Sequence, residues 1–213
     1  MNRTVKVIGK AKSNCPPDKI TVSLTVEADG MDYQTTLDLA ADKLNMVQTA
    51  VEKTGFEKQE LKTSSFNVTK EYDYAQMGMN GNKREFIGYR CSHGLKLEFD
   101  MDMERLGKVL SALSEWADSE FHISFGVKDT DLLKNQLLTQ AVKDAAEKAE
   151  ILTKAAGVKL KEIISVKCGD IDDNIISPTY YKQNAEALRA VSVDITPENI
   201  YTEAEVCVEW EIE

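Results

Sequence analysis

The chain has 213 residues, 42% hydrophobic and 29% charged, a balance that excludes intrinsic disorder and provides for a sizeable core. Its 26 Lys and Arg face 36 Asp and Glu, and the resulting net charge of −10 disfavours phosphate-backbone binding, so nucleic acid is not an expected partner. No apolar run approaches the roughly 18 residues of a membrane-spanning helix. Met1-Asn2-Arg3-Thr4 leads into strand-like alternation without an apolar leader, which sets the expectation of a cytoplasmic protein.

Val5, Val7, Gly9 and Ala11 alternate with Thr4, Lys6, Ile8 and Lys10, a short strand. Asn14-Cys15-Pro16-Pro17-Asp18 breaks it, and Ile20, Val22, Leu24 and Val26 then mark a second strand, expected to form a hairpin with the first. Asp29-Gly30 punctuates the exit. Tyr33, Leu37, Ala41, Leu44, Val47 and Val51 recur at helical spacing up to a stop at Gly55. Phe66, Val68, Tyr72 and Tyr74 return to alternation, and residues 75–85, rich in Gly and Asn, read as an exposed tip between two long strands. Tyr89, Cys91, His93, Leu95, Leu97 and Phe99 form the inward phase of the next strand, so His93 is predicted to be at least partly buried and neutral.

Met103, Leu106, Val109, Leu110 and Leu113 then give a shorter helix, with Asp100 or Asp102 placed to cap it. Phe121, Ile123, Phe125 and Val127 form a strand, and Asp131–Ala156 is the longest helical pattern in the chain. Leu133, Leu137, Leu138, Ala141, Val142, Ala145, Ala149, Leu152 and Ala156 make its apolar stripe, Asp129 to Asp131 supply cap oxygens, and Gly157 supplies the left-handed residue at its end. A strand over about 161–167 follows. The last strand places Ala204, Val206, Val208, Trp210 and Ile212 on one phase. Glu203, Glu205, Glu209, Glu211 and Glu213 on the other form a carboxylate ladder, expected to be solvated or to face Lys and Arg across the sheet rather than to hold a cation.

The expected architecture is α+β: a mixed, largely antiparallel sheet of about seven strands with three helices on one face, in a single domain over 1–213. The Gly55-to-Glu60 and Gly157-to-Glu162 spacings agree, a weak internal repeat that either duplication or convergent cap chemistry accounts for. Residues 169–199 show no sustained period. With the 75–85 tip they are the expected interaction segments, through Met77, Met79, Ile175, Ile176, Tyr180, Tyr181 and Leu188.

Chemistry is sparse. Cys15, Cys91, Cys168 and Cys207 are isolated and read as separate reduced thiols, and a metal site would have to recruit His93 or His122 from afar, so no metal or cofactor is expected. Thr63, Ser64, Ser65, Tyr89 and Arg90 offer hydroxyls and a cation on neighbouring strands, but no base is placed in sequence to activate a nucleophile. There is neither a phosphate-binding nor a dinucleotide-binding glycine motif.

Several segments, in one order, resemble the SIMPL domain family. They are Pro17-Asp18, Thr63-Ser64-Ser65-Phe66 with Tyr72-Asp73-Tyr74, Gly88-Tyr89-Arg90-Cys91-Ser92 and Ile123-Ser124-Phe125. The run Ala141 to Ala145, Lys148-Ala149-Glu150, Ala155 to Val158 and Ile195-Thr196-Pro197-Glu198 continue the match. The resemblance covers nearly the whole chain and implies a bacterial, non-enzymatic protein linked to stress tolerance, self-association or a protein partner, with no catalytic residues to carry over. Many similar proteins are exported. A homo-oligomer is therefore the first expectation, and a small-molecule-binding protein or enzyme with a site near Thr63–Ser65 and Tyr89–Arg90 the alternative.

Overall fold

The computed structural model describes residues 3–75, 83–113, 120–171, 175–184 and 195–213. In chain order they form β1 (Thr4–Cys15), β2 (Lys19–Gly30), α1 (Tyr33–Glu52), a short 3-10 turn (Lys58–Glu60), β3 (Leu61–Ala75), β4 (Lys83–Asp100), α2 (Met103–Leu113) and β5 (Glu120–Gly126). There follow α3 (Thr130–Ala156), β6 (Leu160–Ile171), β7 (Ile176–Asn184) and β8 (Ile200–Ile212). The class is α+β with three helices, as the sequence pattern requires. The eight strands of the described residues divide between a three-stranded sheet, ordered β1-β8-β6, and a five-stranded sheet, ordered β3-β4-β2-β5-β7. The chain accordingly forms two compact units, one from residues 1–18, 126–178 and 197–213 and the other from 19–125 and 179–196.

In the first unit α3 lies on the three-stranded sheet. Asp129 accepts from the Leu132 amide at 2.8 Å, and Gly157 ends the helix at φ 69°, so both predicted boundaries hold. Leu137, Ala141, Ala145 and Ala149 bury against Val7, Ala11, Ala204, Val206, Val208 and Trp210. The small residues permit a close approach, and Gly9 completes it. A Cβ on Gly9 would lie 2.6 Å from the Ala145 nitrogen and 2.7 Å from its Cβ, closer than real contacts allow. Leu152, although on the predicted stripe, is half exposed.

The expected hairpin between β1 and β2 does not form. β1 pairs antiparallel with β8, and β2 with β4. Pro16 and Pro17 have no amide to donate to a ladder. Asp18 is tied elsewhere, its amide to the Gly126 carbonyl at 3.0 Å and its carboxylate to the Lys128 amide at 2.7 Å. The β1–β8 register sets Lys6 opposite Glu209, Lys10 opposite Glu205 and Lys12 opposite Glu203. Lys10 forms an ion pair with Glu205, and Lys12 with Glu203 at 3.7 Å, so the carboxylate ladder faces lysines, as expected.

In the second unit α1 and α2 pack on the five-stranded sheet. Ile20, Val22 and Leu24 of β2, Leu95, Leu97 and Phe99 of β4, and Phe121, Ile123 and Phe125 of β5 meet Val47 and Val51 of α1 and Leu106, Val109, Leu110 and Leu113 of α2. Asp32 caps α1 through the Thr35 amide at 2.9 Å, and Asp102 caps α2 through the Arg105 amide at 2.9 Å. Arg105 lies 3.6 Å over the Phe56 ring and donates to the Gly55 carbonyl at 3.0 Å, tying α2 to the turn that ends α1.

The segment expected to be aperiodic is partly strand. β6 runs on to Ile171, and β7 occupies Ile176–Asn184. Pro178 interrupts the alternation that would have revealed β7, and proline is tolerated there because β7 is an edge strand.

Candidate functional site

β3 and β4 form the long hairpin that the 75–85 tip predicts, with Ala75 opposite Lys83. Residues 76–82 lie outside the described set. The ladder slips twice, once at Ser64 on β3 and once at Ile87 on β4, where Glu71 faces Gly88 and Tyr72 faces Phe86. These slips separate the residues of the alternative site. Thr63 faces Leu95, whereas Lys70 faces Tyr89 and Thr69 faces Arg90, so along β3 Arg90 is about 13 Å from Ser65 and about 20 Å from Thr63.

At the first slip His93 is buried, as its strand phase predicts, and burial pushes its pKa below the ordinary 6.5. Its Nε2 lies 2.8 Å from the Thr63 hydroxyl, and its ring meets Phe66 edge-on at 5.1 Å. The Thr63 hydroxyl is thereby engaged by a neutral ring.

At the second slip the sheet opens into a groove of about 330 Å³. Gly30 and Gly88 form its base. Gly88 has φ +143°, and a Cβ there would sit 2.5 Å from the Gly30 carbonyl oxygen, so only glycine allows this approach. Met31, Ile87 and Tyr89 supply apolar lining, and Asp29, Glu71 and Arg90 supply charge. Arg90 donates from Nε to Asp29 at 2.7 Å and from Nη2 at 3.3 Å, a forked pair that lowers the Asp29 carboxyl below the usual carboxylate range. Four aromatic rings run beside the groove in edge-on contacts: Tyr72 to Phe86 at 5.9 Å, Phe86 to Tyr89 at 5.3 Å, and Tyr89 to Tyr33 at 5.7 Å. Sequence reasoning read Gly30 as turn punctuation. The signal available was a second glycine at a position where β4 otherwise alternates.

A second feature lies at the edges of the three-stranded sheet. The outer side of β1 is occupied by α3: the Lys10 amide donates to Asp144 at 2.7 Å, and Lys148 reaches the Ile8 carbonyl at 3.5 Å. Lys148 also bonds Asp144 at 2.7 Å and draws that carboxyl below its usual range. At the opposite edge no described strand pairs with the outer side of β6. Ile163 and Val166 face Trp210 and Val208 across the ladder and so continue the apolar face of the sheet, yet both are half exposed, as are Ile164 and, on α3, Leu152.

Of the predicted interaction residues, Met77, Met79 and Leu188 lie outside the described set, as does the side chain of Tyr181. Ile175 is buried, whereas Ile176 is half exposed and Tyr180 is 77% exposed. Among the described residues no group of three His, Cys, Asp or Glu is placed to hold a metal ion, and no helix is long and apolar enough to cross a membrane.

A family model named SIMPL, described as a protein of unknown function (DUF541), matches residues 5–210. The chain is 22% identical over 163 residues to the 26 kDa periplasmic immunogenic protein of Brucella melitensis, which covers 76% of this chain and 65% of that protein. It is 21% identical over 160 residues to the uncharacterized protein YggE of Edwardsiella ictaluri, over 75% of this chain and 65% of that one. The Brucella abortus protein of the same periplasmic description is 22% identical over 163 residues. The chain thus spans 65% of the length of each relative. The periplasmic names overturn the expectation of a cytoplasmic protein. The physical reason is that a leader directs export without belonging to the fold, so the strand-forming residues from Thr4 onward carry no address.

Proposed function

The chain belongs to the SIMPL family, and on that premise we propose that it works by assembly rather than by catalysis, with copies associating through the β6 edge. The observation that carries this reading is the asymmetry of the three-stranded sheet. One edge is closed by Asp144 and Lys148, while along the other no described strand pairs with β6, which bears exposed Ile163, Ile164 and Val166. An open apolar edge is a template for pairing with another strand, and a second copy of β6 supplies a matching one about a two-fold axis. The separation of Thr63–Ser65 from Arg90 supports a non-enzymatic role, because Thr63 meets the His93 ring but the cation of the expected set stands several residues away along the strand. The names of the Brucella relatives support a periplasmic setting.

Sedimentation from low to high micromolar concentration tests the assembly. The wild type is expected to sediment as an oligomer, and Ile163→Lys with Val166→Lys to shift it to the monomer without loss of helical circular dichroism. A wild type that stays monomeric throughout, or a double variant with wild-type mass, refutes the reading.

A further inference from the structure

We propose that the groove over Gly30 and Gly88 binds a small organic cation, an alkyl- or arylalkylammonium whose charge lies by Glu71 and Asp29 and whose apolar stem lies against Tyr89, Met31 and Ile87. The inference is independent of assembly at β6 and rests on three properties of the groove.

The first is its size and construction. A volume of about 330 Å³ is at the small end of ligand pockets and suits a single ring or short chain with one head group. The space is built into the backbone. The slip of β4 at Ile87 displaces the ladder, and Gly88 at φ +143° leaves the Gly30 carbonyl uncovered by any Cβ.

The second is the sign of its charge. Arg90 would ordinarily invite an anion, but its Nε and Nη2 are committed to Asp29. Glu71 and Glu27 both act on the guanidinium, and Lys43 acts on Asp29. Among the described side chains three carboxylates therefore surround two cations, and their surplus charge is negative. An incoming anion would have to break the Asp29–Arg90 fork and face Glu71, whereas a cation leaves the fork intact. Among the described residues the Glu71 carboxylate makes one side-chain hydrogen bond, from the Thr69 hydroxyl at 3.1 Å, so it retains acceptor capacity for an ammonium.

The third is the aromatic lining. Tyr89 is held between Phe86 and Tyr33 by edge-on contacts at 5.3 and 5.7 Å, which fixes its ring before any ligand arrives. A fixed ring beside a carboxylate attracts an ammonium through its quadrupole and packs on the adjoining carbons, two contacts that an alcohol of the same shape does not combine.

Three probes with one phenylethyl stem and head groups of different charge decide the matter: 2-phenylethylammonium, 2-phenylethanol and 3-phenylpropionate, each titrated into nitrogen-15-labelled protein. The ammonium is expected to move the amide resonances of Gly30, Gly88 and Arg90 with a dissociation constant on the order of 1 mM. The alcohol is expected to bind roughly fivefold more weakly or less, and the carboxylate not to move these amides at all. Glu71→Gln keeps the shape and removes one charge. It is expected to weaken the ammonium several-fold and leave the alcohol unchanged. Equal binding of the three probes, shifts confined to other amides, no shifts, or an unaltered ammonium affinity in Glu71→Gln overturns the proposal.

Discussion

Replacing Gly9 by Ala tests the seat of α3 on β1. The new Cβ would lie 2.6 Å from the Ala145 nitrogen, where ordinary contact begins at 3.4 Å, and nearer still to the Ala141 carbonyl oxygen, so helix and strand must part by at least about 0.8 Å, the shortfall at the nitrogen. The obstruction cannot rotate away, because the Ala141 carbonyl and the Ala145 nitrogen are backbone atoms. Parting loosens Leu137, Ala141, Ala145 and Ala149, all fully buried, and lengthens the Lys10-to-Asp144 bond of 2.7 Å. Overpacking of this kind costs about 1 to 3 kcal/mol, and the rigid backbone places Gly9→Ala near the upper end. For a chain of this size about 3 kcal/mol lowers Tm by roughly 6–12 °C. Urea unfolding followed by Trp210 fluorescence, in a Trp116→Phe background, reads this core directly, since Trp210 is buried in it. A loss below about 0.5 kcal/mol, the level of an inert surface change, would refute the argument that Gly9 is required for the helix to approach the strand.

Three further outcomes follow from the same geometry. Burial holds the His93 pKa below 6.5, so on acidification the unfolded chain takes up the proton first, and stability falls as pH drops through 6.5 toward the folded value. Urea midpoints at about pH 7.5 and about pH 5.5 should therefore differ more in the wild type than in His93→Gln, and an equal difference contradicts the assignment. Cys168 is exposed, while Cys91 is fully buried with its thiol pushed upward by burial, so a thiol reagent should modify Cys168 in the folded protein and Cys91 only on unfolding. Mass spectrometry showing similar rates at both would count against that burial. Asp144→Ala uncovers the Lys10 amide on the outer side of β1 and should increase light scattering at high concentration. Scattering equal to the wild type would mean that the aspartate does not guard this edge.

Local chemistry alone determined a good part of this protein. Asp129 and Gly157 bounded α3, and Asp32 and Asp102 cap α1 and α2, because a cap acts on amides within the same turn. Alternation placed His93 in the core phase of β4, because successive strand residues point to opposite faces whatever the partner strand. The lysines of β1 and glutamates of β8 were each legible as polar faces. Their meeting was decided only by the fold: Lys10 and Glu205 are 195 positions apart, and a backbone ladder carries no label that would choose β8 over the adjacent β2. The division into two sheets follows from that choice of partner. β7 stayed hidden because Pro178 breaks its period, and an edge position is what tolerates it. The groove arose from register, since the slip at Ile87 and the approach of Gly88 to Gly30 join residues of β2, β3 and β4 that no single stretch of sequence brings together.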